Sequence, residues 1–259
     1  MENTTIVTAL YNIQRETHGD GRKWEEYLQW FQETLQIPLS MVIFIPKELE
    51  PFVMTHRPSH YKTQVIFQEL SDVPYAYCLK KIEANLQDPS YLKKMRDTRR
   101  VECVLPYYTI IQYSKFRWLL QTIEKNPFQS QYFFWMDAGI SRFIPKEIYS
   151  RTKTNLVLPE NKFVIQNNHL LYQYPVNEKY LWDSQCLLCG TMFGGDSKVI
   201  QAIATIIDNY FVAFLNMGWI NNEQILLAYI YKEMASSLFH LIHNNTGKHL
   251  CLYESLFIK

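Results

Sequence analysis

Glycine is scarce in this chain, with eight residues in 259. No G-x-G-x-x-G occurs, so the dinucleotide-binding fingerprint is absent. An excess of charge of one sign is also lacking. The 26 Lys and Arg face 25 Asp and Glu, a formal net charge of +1 at pH 7. That balance excludes a general nucleic-acid binder but leaves room for one phosphate pocket. No run of about 18 apolar residues exists, so no transmembrane helix is expected. The opening stretch, MENTTIVTALYNI, lacks the basic and long apolar regions of a secretory signal. The cysteines, Cys78, Cys103, Cys186, Cys189 and Cys251, are odd in number and scattered. They suit reduced cytosolic thiols rather than a disulfide framework, so a cytoplasmic location is expected. Cys186 and Cys189 form a lone C-x-x-C with no second pair and no suitably spaced histidine, which argues against zinc. The Asn-x-Thr sequons at Asn3 and Asn244 carry little meaning without a signal. No repeat, low-complexity tract or Gly/Ser linker divides the chain, so a single domain over residues 1–259 is the simplest count.

Apolar patterning is plentiful, at 47% hydrophobic residues. Thr4–Leu10, Ser40–Ile45 and Gln64–Phe67 read as strands. Trp24, Tyr27, Leu28, Phe31 and Leu35 recur at helical spacing between the first two. A strand–helix–strand order with a further strand points to a parallel sheet. Residues 71–105 are polar and charged, with Lys93, Lys94, Arg96, Arg99 and Arg100 clustered. This is either a solvated face or a mobile element that closes over an anion. Pro106 suits a helix first turn, and the apolar pattern runs to about residue 124, stopped by Asn126-Pro127. Residues 151–185 read as irregular, with short strands near Leu156–Leu158 and Phe163–Ile165 and a high density of tyrosine, Tyr172, Tyr174 and Tyr180. Long helices are expected from Ser197 to about Leu215 and from Asn221 to Met234.

The chain is organised around QYFFWMDAGISRF, Gln131 to Phe143. Tyr132 to Met136 are apolar without alternation, as in a strand buried on both faces. Asp137 follows at its carboxyl end, where open α/β sheets bind ligands, and Gly139 lets a ligand approach the backbone. The alternative is that Asp137 only caps the turn. Arg15, in the loop after the first strand, offers a fork for phosphate unless it is merely solvated. The glycines of CGTMFGG, including Gly194 and Gly195, mark backbone that bends sharply or passes near a ligand. Asp137 and His243 supply donors for a divalent ion such as Mn²⁺ or Mg²⁺ bridging a diphosphate, with Lys248 beside Gly247 on the same phosphates. Glu223 either accepts a proton from an incoming hydroxyl or simply matches its helix dipole. His243 could equally be a surface histidine.

TIVTALYNIQRE, YSKFRWLL, FFWMDAGISRF and FGGD resemble the HtrL/YibB-type family of bacterial and viral proteins over the whole chain. That family in turn resembles GT-A glycosyltransferases. The resemblance implies an α/β fold with a mixed, mostly parallel sheet flanked by helices. The nucleotide half would be about 1–140 and the acceptor half about 141–259. It implies transfer of a sugar from a nucleotide-sugar donor to a glycan acceptor hydroxyl, metal-assisted, in surface-polysaccharide assembly. Asp137-Ala138-Gly139 stands where the usual motif is Asp-x-Asp, so the second carboxylate is missing. HNNTGK, His243 to Lys248, is similar to the His-x-x-Gly-x-x-Lys signature of some retaining enzymes, at a different spacing. Arg15 and Lys115 are expected near the nucleotide. Gly194, Gly195, Asp196 and Glu223 are expected on the sugar and acceptor side, with Asp196 or Glu223 as catalytic base. The competing readings are a nucleotidyltransferase and a non-catalytic glycan- or protein-binding module on the same fold.

Overall fold

The computed structural model describes residues 2–168, 171, 174, 182, 187–219 and 221–258. Among these, seven strands form one sheet in the order β3-β2-β1-β4-β6-β5-β7. They are β1 Thr4–Ala9, β2 Ser40–Ile45, β3 Thr63–Phe67, β4 Tyr132–Met136, β5 Phe163–Asn167, β6 Leu188–Asp196 and β7 Phe239–His243. Strands β3, β2, β1 and β4 run parallel, β6 runs against β4 and β5, and β5 and β7 are parallel. The fold is the expected α/β class, with a mixed, mostly parallel sheet flanked by helices. From β1 the chain winds outward to β2 and β3. It then returns to place β4 on the other side of β1. Ligand crevices open at such a reversal, beyond the carboxyl ends of the strands.

The unbroken apolar run of β4 reflects two buried faces. Phe133 and Trp135 enter one core, whereas Tyr132, Phe134 and Met136 enter the other. Helices therefore cover both sides. Pro106–Lys125, with Pro106 in its first turn, lays Trp118 on Trp135 with ring centroids 5.7 Å apart. Trp24–Thr34 buries Phe31 on the opposite face. Ser197–Asn216 is long and apolar enough to cross a membrane by composition alone. It packs into the first core instead, through Ile200, Ile203, Ile207 and Phe211.

Three expectations are corrected. CGTMFGG is not a turn but the body of β6. Leu156–Leu158 is no strand, because its backbone is held by the Asn3 side chain rather than by a ladder. Leu156 N donates to Asn3 Oδ1 at 2.9 Å and Asn3 Nδ2 to the Leu156 carbonyl at 2.8 Å. The polar stretch 71–105 forms the helices Leu79–Leu86, Pro89–Lys94 and Val101–Val104, which bury Ile82, Leu86, Tyr91 and Val101. Tyr172, Tyr180 and Cys186 lie outside the described residues.

Candidate active site

The reversal between β1 and β4 opens into two adjoining cavities of about 490 and 380 Å³. Both are lined by Arg15, Arg22, Lys115, Asp137 and Arg142, so their shared wall is mostly cationic. Each side chain is placed by an element end. Arg15 opens the short helix Arg15–His18 after β1 and Arg22 follows it, while Asp137 directly follows β4 and Arg142 lies in the 3-10 turn Ile140–Phe143 beyond it. Tyr108, Ile111, Gln112 and Lys115 come from the Pro106–Lys125 helix. Those four fall at i, i+3, i+4 and i+7, one stripe of that helix. The second cavity adds Arg100, Glu102, Gly190, Thr191 and His249.

Lys115 is the hinge of the site. Its side chain is 1% exposed, and its ammonium lies 3.0 Å from Asp137 Oδ1 and 2.8 Å from Glu223 Oε1. It also donates to the Gly190 carbonyl at 3.1 Å. Burial disfavours the ammonium charge, but the two carboxylates outweigh it and hold the Lys115 pKa above the ordinary value. Glu223 is fully buried behind it. Burial pushes the Glu223 carboxyl up to about 7, only partly offset by Lys115. Among the described residues Glu223 Oε2 has no hydrogen-bond partner. Gly190 makes this approach possible, because a Cβ there would sit 2.2 Å from Glu223 Oε1. Asp137 keeps 32% of its side chain exposed. Trp135 Nε1 donates to its Oδ1 at 2.7 Å, and its own backbone N–H donates to the Thr191 carbonyl at 2.9 Å.

The arginines are held by rings and carboxylates. Arg15 pairs with Asp20, Nε to Oδ1 at 3.0 Å, and stands over the Tyr108 ring at 5.1 Å. Arg100 pairs with Glu102 at 2.6 Å. Arg142 lies between Trp30, at 4.8 Å, and Phe143, at 4.5 Å. Burial, and then Arg22, lower its pKa.

Of the residues expected from sequence, Arg15, Lys115, Asp137 and Gly139 line the first cavity together. A Cβ on Gly139 would meet Trp30 Cε3 at 3.2 Å, so this glycine also lets the Trp30 ring lie against the turn. Glu223 reaches the group only through Lys115. Gly194, Gly195 and Asp196 do not join it. Strand β6 runs antiparallel to β4 and sets Asp196 opposite Tyr132, five residues from Asp137, which is about 16 Å along a strand. There Asp196 caps the Ser197 helix, accepting from Val199 N at 3.0 Å. Gly194 and Gly195 serve packing, since a Cβ would meet the Phe133 carbonyl at 2.3 Å or that of Lys162 at 2.6 Å. His243 ends the edge strand β7, 3.2 Å from Asn167 Nδ2, and lines neither cavity. Lys248 is paired with Glu254 at 2.7 Å. The tail histidine that does line the second cavity is His249, stacked on Phe143 at 4.0 Å. Arg22, Arg142, Tyr108, Gln112 and His249 were not singled out by sequence as site residues, whereas Gly190, one of the CGTMFGG glycines, does line the second cavity. The helical stripe ending at Lys115 is a signal that would have found Tyr108 and Gln112.

The donor set does not fit the expected divalent ion. Among the described residues no group of three or more His, Cys, Asp or Glu could hold one. Asp20, Glu102, Asp137 and Glu223 are each already engaged by a cation. The expected pair, Asp137 and His243, is not brought together, because His243 sits on the sheet edge. His249 is flanked instead by Arg142, whose charge, after burial, lowers the pKa of the ring.

The class of the molecule is thus an α/β protein with a cation-walled crevice at its sheet reversal. The chain belongs to the family described as "Bacterial protein of unknown function (HtrL_YibB)", whose profile matches residues 2–255. No curated protein matches it by sequence. Among solved structures it is similar to core-mannan synthase A (CmsA/Ktr4) from Aspergillus fumigatus in its Mn/GDP form. The identity is 9% and the TM-score 0.49, over 100% of this chain and 81% of that one. It is also similar to mouse xyloside xylosyltransferase 1, apo form, at 11% identity and TM-score 0.39, over 93% and 84%. A third likeness is to 4-diphosphocytidyl-2C-methyl-D-erythritol synthase from Anaerococcus prevotii DSM 20548. There the identity is 14% and the TM-score 0.38, over 95% and 91%.

Proposed function

We propose that the chain is a glycosyltransferase that moves a sugar from a nucleotide-sugar donor to a glycan acceptor hydroxyl. The observation that carries this reading is the cationic wall around Asp137 at the sheet reversal, shared by two cavities. The larger cavity suits the nucleotide, and the smaller one suits the acceptor. The half-exposed carboxylate stands where the two substrates meet. In the reaction the acceptor oxygen bonds to the anomeric carbon while the bond from that carbon to the diphosphate breaks. The leaving diphosphate gains negative charge, and fixed cations facing it stabilise that change more than the ground state. Arg142 and Arg22, which line both cavities, bring such charges, while Lys115 beside them is already held by Asp137 and Glu223. Asp137, oriented by Lys115 and Trp135, accepts the hydrogen bond of the acceptor hydroxyl. It then takes the proton that this hydroxyl gives up as its oxygen bonds to the anomeric carbon, and Glu223 holds Lys115 in place. Surface-polysaccharide assembly in the cytoplasm is the setting that fits the family resemblance.

The test is release of nucleoside diphosphate from a panel of nucleotide sugars. Asp137→Asn is expected to lower turnover by about a hundredfold or more, the scale of a positioned acid–base group, with the thermal unfolding curve retained. Turnover near the wild-type rate would remove Asp137 from this role. Release of pyrophosphate would instead mark a nucleotidyltransferase.

A further inference from the structure

We propose that the diphosphate of the donor is gripped by the chain's own guanidinium groups, with Arg142 the principal clamp, rather than through a divalent ion held by the protein. This rests on the glycosyltransferase reading and names how that site takes its ligand. Three observations carry it. Of the carboxylates that line the cavities, Asp20, Glu102 and Asp137 are each already committed to a cation, and the exposed Glu16 alone has no ion pair among the described residues, so together they offer little to a metal. Arg142 is the converse case. It lines both cavities, yet among the described residues it makes no hydrogen bond or ion pair. Its guanidinium is held between the Trp30 and Phe143 rings instead, 4.8 and 4.5 Å from their centroids. Aromatic faces fix a guanidinium without using its five N–H donors, which stay free for a bidentate oxyanion. Arg22 is close enough to disfavour the Arg142 charge. Among the described residues its polar contacts are a long 3.8 Å approach to Asp20 and a 3.3 Å bond to the Tyr27 hydroxyl. The counter-charge on these two neighbouring guanidinium groups is modest, the long Asp20 contact and the field of Asp137, which is itself paired with Lys115, so an entering anion relieves their mutual repulsion. A diphosphate carries the charge and the spacing of oxygens that such a pair accepts.

The experiment is calorimetric titration of UDP, GDP, CDP and ADP into the full chain. It is run with EDTA and then with Mn²⁺, for the wild type, Arg142→Ala and Arg142→Lys. At least one nucleotide is expected to bind in EDTA, with Arg142→Ala weakening it about ten- to a hundredfold. Lysine should recover only part of the loss, since it keeps the charge but not the fork. The melting temperature of Arg142→Ala should stay close to wild type, because no ion pair is lost. Binding that appears only with Mn²⁺, or that is unchanged by Arg142→Ala, overturns the clamp and leaves the glycosyltransferase reading standing. No binding under either condition removes that reading and the clamp with it.

Discussion

Lys115 shows how much one buried charge can organise. It is deeply buried, yet three oxygens surround it: a carboxylate on the β4 loop, a carboxylate on the Glu223–Glu233 helix and a β6 carbonyl. A buried ion pair is weak evidence of stability, but breaking one leaves an uncompensated charge and is costly. Lys115→Met is therefore expected to lower unfolding stability by about 3 kcal/mol near neutral pH. The loss should depend on pH. Without the lysine, burial raises the Glu223 carboxyl pKa further above its unfolded value. A folded state that retains a proton the unfolded state releases loses stability as pH rises. Urea denaturation at about pH 5 and pH 8 should show a deficit that widens at the higher pH. A deficit that narrowed instead would mean that Glu223 is not the group left uncompensated. Sequence pointed to Glu223 as an acid in a helix first turn and a candidate base, with no sign that it is buried against Lys115. Its burial, and its partner 108 residues away, come from how two helices meet over β6.

At the scale of elements, the ends matter more than the bodies. The residues of the larger cavity follow β1 and β4 or ride one stripe of the Pro106–Lys125 helix, because most of the strand interior is committed to the two cores. The reversed direction of β6 explains why the FGGD segment misled. Its glycines are set by close packing, and its aspartate by the helix that follows. Asp196→Ala is expected to cost about 1 kcal/mol, the loss of an N-cap, and to leave nucleoside diphosphate release near the wild-type rate. A turnover loss as large as that expected for Asp137→Asn would return Asp196 to the site. Strands β1 to β5 and the long helices were legible, because an unbroken apolar run or a 3.6-residue period follows directly from burial; β6, masked by its glycines, and the edge strand β7 were not. The short helices of residues 79–104 were not, since their polar exposed sides mask the few side chains that reach the core.

At the scale of the whole molecule, the chain closes on its own centre. The helix Leu252–Phe257 buries Tyr253 and Phe257 beneath the sheet, and Phe257 meets Phe134 edge-on at 5.7 Å. The last turn of the chain thus supports the strand that presents Asp137. Phe257→Ala should cost about 3–5 kcal/mol, as for other fully buried aromatics, read by chemical denaturation. A cost below about 1 kcal/mol would show that this contact does not brace β4.

Sequence alone determined the fold class, the central strand, the long helices and the placing of Asp137 at a strand end. Each of these is a local consequence of which side chains avoid water. Tertiary structure decided which charged groups share a cavity, that Lys115 joins Asp137 to Glu223, and that Arg142 is left with aromatic neighbours and, among the described residues, no ion pair. Charge pairing depends on approach in space between residues far apart in the chain, and no periodicity in a sequence encodes that distance.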